Sequence, residues 1–276
     1  MKLFRRNAQA TTSLETRVLT ALIAIPPLFA IIWIGEPWFA MLVAVVALWG
    51  LIEFYSLVSL RWERPFLLLG ALWTAIFLLN ALFGGTDTLP IVAAGAVALS
   101  LLLFPFRRRW KEDVVPWGWT MAGAFLLGWT LSYFVLLREI DYGREWVVLT
   151  LFSVFAVDTS AYFVGRAIGR HQLAPRLSPK KTWEGAIGGV AGALLISPLI
   201  DYSLDTPMGL GRVLGLGALI AVVSQVGDLL ESFFKRSVGV KDAGGLVPGH
   251  GGVLDRLDSV VFTVVVVYYY IQWATG

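Results

Sequence analysis

Long unbroken apolar runs dominate the chain, separated by short polar segments. Nine stretches, 18–35, 37–60, 65–83, 88–106, 114–137, 146–165, 183–200, 212–230 and 257–274, are built mainly from Leu, Val, Ile, Ala, Phe and Trp. A helix needs about 20 mostly apolar residues to cross the hydrocarbon layer, so each run predicts a transmembrane helix. The run 183–200 is the weakest, being rich in Gly and Ala and containing Pro198. The runs are too long, and too little alternating, for the strands of a membrane barrel. The expectation is an all-α, polytopic integral membrane protein with about nine transmembrane helices. No Ser/Gly linker divides it. Within one membrane domain, residues 1–145 read as hydrophobic lipid-facing and packing helices. Residues 146–276 gather the polar residues and glycines and read as the catalytic region.

Composition sharpens this picture. Of 276 residues, 57% are apolar and only 15% charged, against about 25% charged in a soluble domain. The mean hydropathy is +0.74. An ordinary soluble enzyme, a disordered chain and a nucleic-acid partner are all excluded on these grounds. Cysteine is absent, which removes disulfides and thiolate metal sites. No small-residue cleavage site follows the first apolar run, so it reads as an uncleaved span.

Charge then predicts sidedness. With the N-terminus cytoplasmic and all nine runs crossing, 19 of the 22 Lys and Arg fall in cytoplasmic segments. Only Arg138, Arg144 and Arg212 fall outside, a strong positive-inside pattern. The count needs the weak seventh span, because without it the last basic loop would change sides. The C-terminus then lies outside, with Tyr268, Tyr269, Tyr270 and Trp273 near the outer interface. Acids inside apolar runs are costly and therefore informative. Glu53, Asp158 and Asp228 lie past the midpoints of runs two, six and eight, toward the cytoplasm. Glu184 and Asp258 begin runs seven and nine on the same side. Acids and basic loops therefore meet at one membrane face.

Three clusters could carry chemistry there. In the first, 157–166, Asp158, Ala161 and Tyr162 share a helix face, for a site or for an interhelical hydrogen bond. Gly165 and Gly169 have the spacing of close helix packing. The second runs from Leu177 through Ser178, Pro179, Lys180, Lys181, Thr182, Trp183 and Glu184 to Gly185. Pro179 predicts a turn leading into a helix that Ser178 or Thr182 caps. Two lysines beside a helix N-terminus suit an anion, although inner-face lysines of the positive-inside kind have the same pattern.

The third cluster is the densest. Asp228 and Glu231 are three apart, as are Asp255 and Asp258, so each pair points at one spot if helical. Together they offer hard oxygens to Mg²⁺ while leaving room for water and phosphate. Lys235, Arg236, Lys241 and Arg256 supply charge for a polyphosphate. His250, among glycines, is either a phosphate donor or a structural hydrogen bonder. No Walker A, HExxH or Ser-His-Asp ordering occurs, nor the paired acid motif of CDP-alcohol transferases. Phosphoryl or nucleotidyl transfer, which depends on positioning and charge neutralisation, suits these residues.

At these residues the sequence resembles the CDP-diacylglycerol synthases, also called phosphatidate cytidylyltransferases. The long motif runs from Ser232 through Lys235, Arg236, Lys241, Asp242, Gly244, His250, Gly251, Gly252, Asp255 and Arg256 to Asp258. Val247 stands where the pattern prefers Leu, Ile or Phe, and Ser160 where Gly is common. Asp158-Thr159 with Ala161-Tyr162, the 178–185 run and Gly227-Asp228-Leu229 are also similar to that family. The resemblance covers about 146–260; the N-terminal half matches only in being hydrophobic. It implies that CTP and phosphatidate react to CDP-diacylglycerol and pyrophosphate, with Mg²⁺ and with a second cation left open. It further implies a homodimer in the inner (plasma) membrane whose site faces the cytoplasm.

The expected metal ligands are Asp228 and Asp255, with Glu231 and Asp258 as further ligands or water holders. Lys235 and Lys241 join Asp228, Asp255 and Asp258 as catalytic candidates. Substrate-binding candidates are Asp158, Ser178, Lys180, Lys181, Glu184, Glu231, Arg236, Asp242, His250 and Arg256. Glu53 has no role assigned. A CTP-dependent polyprenol or dolichol kinase would release CDP in place of pyrophosphate, and an ion-coupled transporter would use intramembrane acids without turning over CTP.

Overall fold

The computed structural model describes residues 26–102, 110–241 and 252–275. Asp242 and His250 lie outside the described residues, as does the N-terminal basic segment. The chain folds as α1 (26–34), α2 (Trp38–Val58), α3 (Leu67–Phe83), α4 (Gly85–Leu102), α5 (Trp110–Gly123), a π-helical segment (Ala124–Trp129) and α6 (Thr130–Glu139). It continues with α7 (Gly143–Ile168), an antiparallel hairpin of β1 (Gln172–Ala174) and β2 (Ser178–Thr182), α8 (Trp183–Leu204), α9 (Leu210–Ser237), α10 (Leu254–Leu257) and α11 (Val261–Thr275).

Seven of the described helices or continuous helical stretches are long and apolar enough to cross a membrane, including the weak run at Trp183–Leu204. The third run forms the 17-residue helix Leu67–Phe83, about 25 Å long. The polytopic all-helical expectation holds. Large side chains stand exposed around the molecule, among them Leu68, Phe83, Leu195 and Trp273. A soluble monomer does not tolerate so much contiguous apolar surface, whereas lipid covers it at no cost.

At the centre stands α6, where every side chain from Thr130 to Leu137 is buried. It packs against α2, α3, α7 and α11. Leu131, Val135, Trp146, Leu149, Leu216, Val264 and Val267 form the core. The π-helical turn feeding α6 brings Gly128 against α3, where a Cβ would lie 2.7 Å from the Thr74 Cα. A π-turn shifts the helix face by a fraction of a turn, which lets one continuous helix serve two packing surfaces.

The polar segments sort into two ends, as alternating crossings require. At one end Arg144 stacks over Trp33 at 4.6 Å, the Thr86 and Tyr268 hydroxyls are 2.7 Å apart, and the Tyr270 hydroxyl donates to the Arg212 carbonyl at 2.8 Å. At the other, Arg61 donates to the Ser237 carbonyl, Phe54 stacks on Phe234 at 4.9 Å, and Trp62 meets Trp119 at 4.6 Å. The three basic residues expected outside, Arg138, Arg144 and Arg212, therefore lie at the end away from Asp158, Asp228 and Asp258.

The closest helix pair is α7 with α8. Gly185, Gly188, Gly189 and Gly192 of α8 lie directly on Val157, Ser160, Ala161 and Val164 of α7. Small residues let two backbones approach within a membrane, where lipid offers no competing hydrophobic drive. The Ser153 and Ser197 hydroxyls hydrogen-bond across the same interface at 2.9 Å. Gly165 belongs to it too, as its spacing predicts: a Cβ there would be 3.5 Å from the Gly185 Cα. A Cβ at Gly192 would lie 2.2 Å from the Ser160 Oγ and 2.9 Å from the Ala156 carbonyl. Gly192→Leu should therefore destabilise the detergent-solubilised protein by about 2–3 kcal/mol in thermal unfolding. Gly95→Ala, with nothing within 4 Å, should change stability by less than about 1 kcal/mol.

Candidate active site

The site is assembled at one end of the bundle by the second half of α7, the hairpin, the end of α9 and the α10–α11 break. Pro179 does not start a turn into α8. It lies within β2, because the segment pairs with β1 before the helix begins, with Gln172 opposite Thr182 and Ala174 opposite Ser178. Pro is tolerated on such a two-stranded ribbon because one edge needs no N–H donor. The cap prediction holds for Thr182, whose Oγ1 accepts the Gly185 N–H at 3.1 Å.

Glu184 fastens the hairpin. One carboxylate oxygen accepts the Arg170 and His171 N–H groups at 3.1 and 3.2 Å, and the other contacts His171 Nδ1 at 2.6 Å. So fixed, β2 presents its two lysines differently. Lys181 forms an ion pair with Asp228 of α9, whereas Lys180 is exposed. Ser178 sits in the hairpin near the turn. Arg236 holds that turn from α9, donating to the Leu177 carbonyl at 3.2 Å and also to the Val240 carbonyl at 3.2 Å. Lys241 is exposed beyond α9.

The ninth run is not one helix. It breaks after Leu257 and resumes at Val261, with Asp258 and Ser259 in the break. The Asp258 carboxylate accepts the Ser259 N–H at 2.6 Å. Gly227 makes this turn possible against α9, since a Cβ there would be 2.4 Å from the Asp258 carbonyl. The Gly227-Asp228 pair thus combines an approach point with an acid. Asp158, Asp228 and Asp258 lie near enough to repel one another, with the charges of Lys181 and Arg256 close by.

A second group surrounds Lys235. Its Nζ lies 2.8 Å from Glu231 Oε2 and 2.7 Å from Asp255 Oδ1, and all three side chains are largely shielded. The other Asp255 oxygen accepts the Gly252 N–H at 2.9 Å. Both oxygens of Asp255 are thus engaged. Glu231 also faces Asp258, and its Oε1 is buried with no hydrogen-bond partner among the described residues.

A cavity of about 280 Å³ leads away from these acids. Asp158, Asp255, Arg256 and Asp258 line its polar end, and Phe39, Val43, Phe134, Val147 and Val154 its apolar body. From Asp158 to Val147 it follows α7 for about 16 Å. Among the described residues, no three His, Asp or Glu side chains converge closely enough to close a metal cage.

One participant lacked an assigned role in the sequence. Glu53 of α2 is buried, and its Oε2 accepts the Leu254 N–H at 2.9 Å, one residue before Asp255. An acid in an apolar run was the only signal for it.

The model of the cytidylyltransferase family matches residues 15–274. The chain belongs to the cytidylyltransferase family. It is 36% identical over 260 residues to a Brucella abortus protein named phosphatidate cytidylyltransferase, covering 93% of each chain. A Synechocystis protein of the same name is 34% identical over 289 residues, covering 92% of this chain and 95% of the relative. One from Bacillus subtilis is 29% identical over 262 residues, covering 93% and 97%. Membership in this nucleotidyl-transferring family sets aside the ion-coupled transporter and the CTP-dependent kinase.

Removing Lys235 would strand two shielded carboxylates. Lys235→Met should lower stability by about 3 kcal/mol in thermal unfolding, and adding Glu231→Gln should recover part of the loss. Lys180→Ala, at an exposed position, should change it by less than about 0.5 kcal/mol.

Proposed function

We infer that this cytidylyltransferase is a phosphatidate cytidylyltransferase, joining CTP and phosphatidate to CDP-diacylglycerol with release of pyrophosphate. The observation that carries the reading is a cavity that is apolar along its body and lined by Asp158, Asp255, Arg256 and Asp258 at one end. Such a cavity suits a substrate with a hydrocarbon tail and a phosphate head. The names of the full-length relatives agree with it.

The transfer is a direct displacement. A phosphatidate phosphate oxygen attacks the α-phosphorus of CTP, a new P–O bond forms, and the bond to the bridging oxygen of the β-phosphate breaks, so that pyrophosphate leaves with that electron pair. No protein nucleophile is needed. Lys181 and Lys235 hold positive charge beside the reacting phosphates, and Arg256 at the cavity end holds the lipid phosphate. Exposed Lys180 and Lys241, with Arg236 and Ser178 at the hairpin turn, attract the triphosphate from water. Asp242 and His250 belong to the same motif and are further substrate-binding candidates.

The donor set fits Mg²⁺. Three mutually repelling carboxylates and the unpartnered Glu231 oxygen are hard donors that a cation would neutralise. Mg²⁺ usually takes only one or two protein carboxylates and completes its shell with water and phosphate oxygens, so a closed protein cage is not required. Asp228 and Asp258 would hold it, with Asp158 and Glu231 beside them, and it would supply charge neutralisation and Lewis acidity at the phosphates. Asp255 is then chiefly the partner of Lys235. A second cation and a homodimer remain part of this reading. So do the inner membrane as its location and a cytoplasmic orientation of the site, which the 19 basic residues on that side support.

Purified protein given labelled CTP and phosphatidate should form CDP-lipid and pyrophosphate in equal amounts, and chelation of divalent cations should stop both. Failure to form CDP-lipid with Mg²⁺ present would sink the reading. Asp228→Asn and Asp258→Asn should each lower turnover by at least about 100-fold while the protein still inserts in the membrane. Val147→Phe, which fills the apolar body, should raise KM for long-chain phosphatidate about fivefold and leave KM for CTP unchanged.

A further inference from the structure

Glu53 belongs to the N-terminal helices, yet it touches the segment that carries the reacting groups. Its side chain is 3% exposed and reaches across 201 positions of sequence to the Leu254 N–H. That N–H opens α10, where no helical carbonyl is available to it. The next residue, Asp255, takes the Gly252 N–H on one oxygen and Lys235 on the other. Lys235 in turn holds Glu231 at 2.8 Å. A continuous path of short contacts therefore runs from α2 through the α10 backbone to the lysine of α9.

A buried carboxylate is a costly way to satisfy one amide, because its second oxygen, Oε1, has no hydrogen-bond partner among the described residues. A cap that only stabilised α10 could be neutral. The position also matters. α10 has four residues, and a helix of that length has little stability of its own. Its orientation is set by what grips it, and the contacts on the site side are made by Asp255, a residue that must itself be aimed. The Glu53 contact fixes the backbone from the opposite side, among Leu51, Phe54, Leu127 and Leu254.

We propose that Glu53 is a positioning residue for nucleotidyl transfer, anchoring the Leu254 backbone so that Asp255 holds Lys235 in its reactive place. The proposal rests on the phosphatidate cytidylyltransferase reading above. It gives α2 a part in the reaction beyond packing: the helix supplies no group to the substrate, but it holds the segment that does.

The test uses the full chain in detergent–lipid micelles with CTP, phosphatidate and Mg²⁺. Glu53→Leu should lower kcat at least about tenfold while KM for CTP stays within about threefold, as expected for a lost support of a reacting group. Glu53→Gln keeps the acceptor and the reach, and should restore kcat to within about threefold of the parent. Amide hydrogen exchange in Glu53→Leu should rise in 252–258 and stay unchanged in α7 and α8. Unaltered kcat in Glu53→Leu, no rescue by Gln, or exchange that rises throughout the molecule would each overturn the proposal. If Glu53→Leu does not fold, Glu53→Asp against Glu53→Gln decides: the shortened acid should be the slower enzyme, and the reverse order overturns the idea. A parent protein that makes no CDP-lipid would instead overturn the functional reading. The exchange comparison would still report on the anchor.

Discussion

Charge placed near hydrocarbon has to be matched on the spot, and around Lys235 two acids make the match. Glu231 is on the same helix, one turn away, and Asp255 comes from α10. Either acid is costly in that shielded place without the lysine, and so is the lysine without them. The arrangement therefore holds α9 and α10 together and leaves a dense set of charges at one end of an apolar bundle. The Lys181 and Asp228 pair does the same between the hairpin and α9.

Close backbone approach is the second requirement. The α8 glycines bring α7 and α8 together, and so fix where Asp158 stands relative to the hairpin that leads into α8. Gly227 lets the α10–α11 break rest on α9, which brings Asp258 beside Asp228. Packing and chemistry are inseparable here, because the residues with no side chain decide how close the residues with charged side chains can come. The apolar cavity that begins at these acids is bounded on its other sides by α2 and α6, helices that hold no acid of the central group.

Much of the bundle was legible before its geometry was known. The apolar runs marked the helices, even the Gly-rich one at Trp183–Leu204, because a helix that spans a membrane must be apolar over nearly its full length. The spacing of acids and bases marked the end where they meet. The break at Asp258 and Ser259 was not legible, since a three-residue interruption leaves the hydropathy of the run unchanged. Nor was the hairpin: Ser178–Thr182 read equally well as a turn, and only pairing with Gln172 and Ala174 makes them a strand.

The sequence by itself determined that the chain spans a membrane many times and that Asp158, Lys181, Asp228, Lys235, Asp255 and Asp258 gather at one face. Those follow from the cost of burying charge and from the length of a crossing, both of which are local properties of the chain. Which carboxylate pairs with which lysine, Asp228 with Lys181 and both Glu231 and Asp255 with Lys235, was decided only by tertiary structure. So was the contact of Glu53 with the Leu254 N–H. In a helix that is apolar on every side, composition does not distinguish the face that meets lipid from the face that meets protein. A lone acid in such a run acquires a partner only when the packed bundle brings a backbone amide to it.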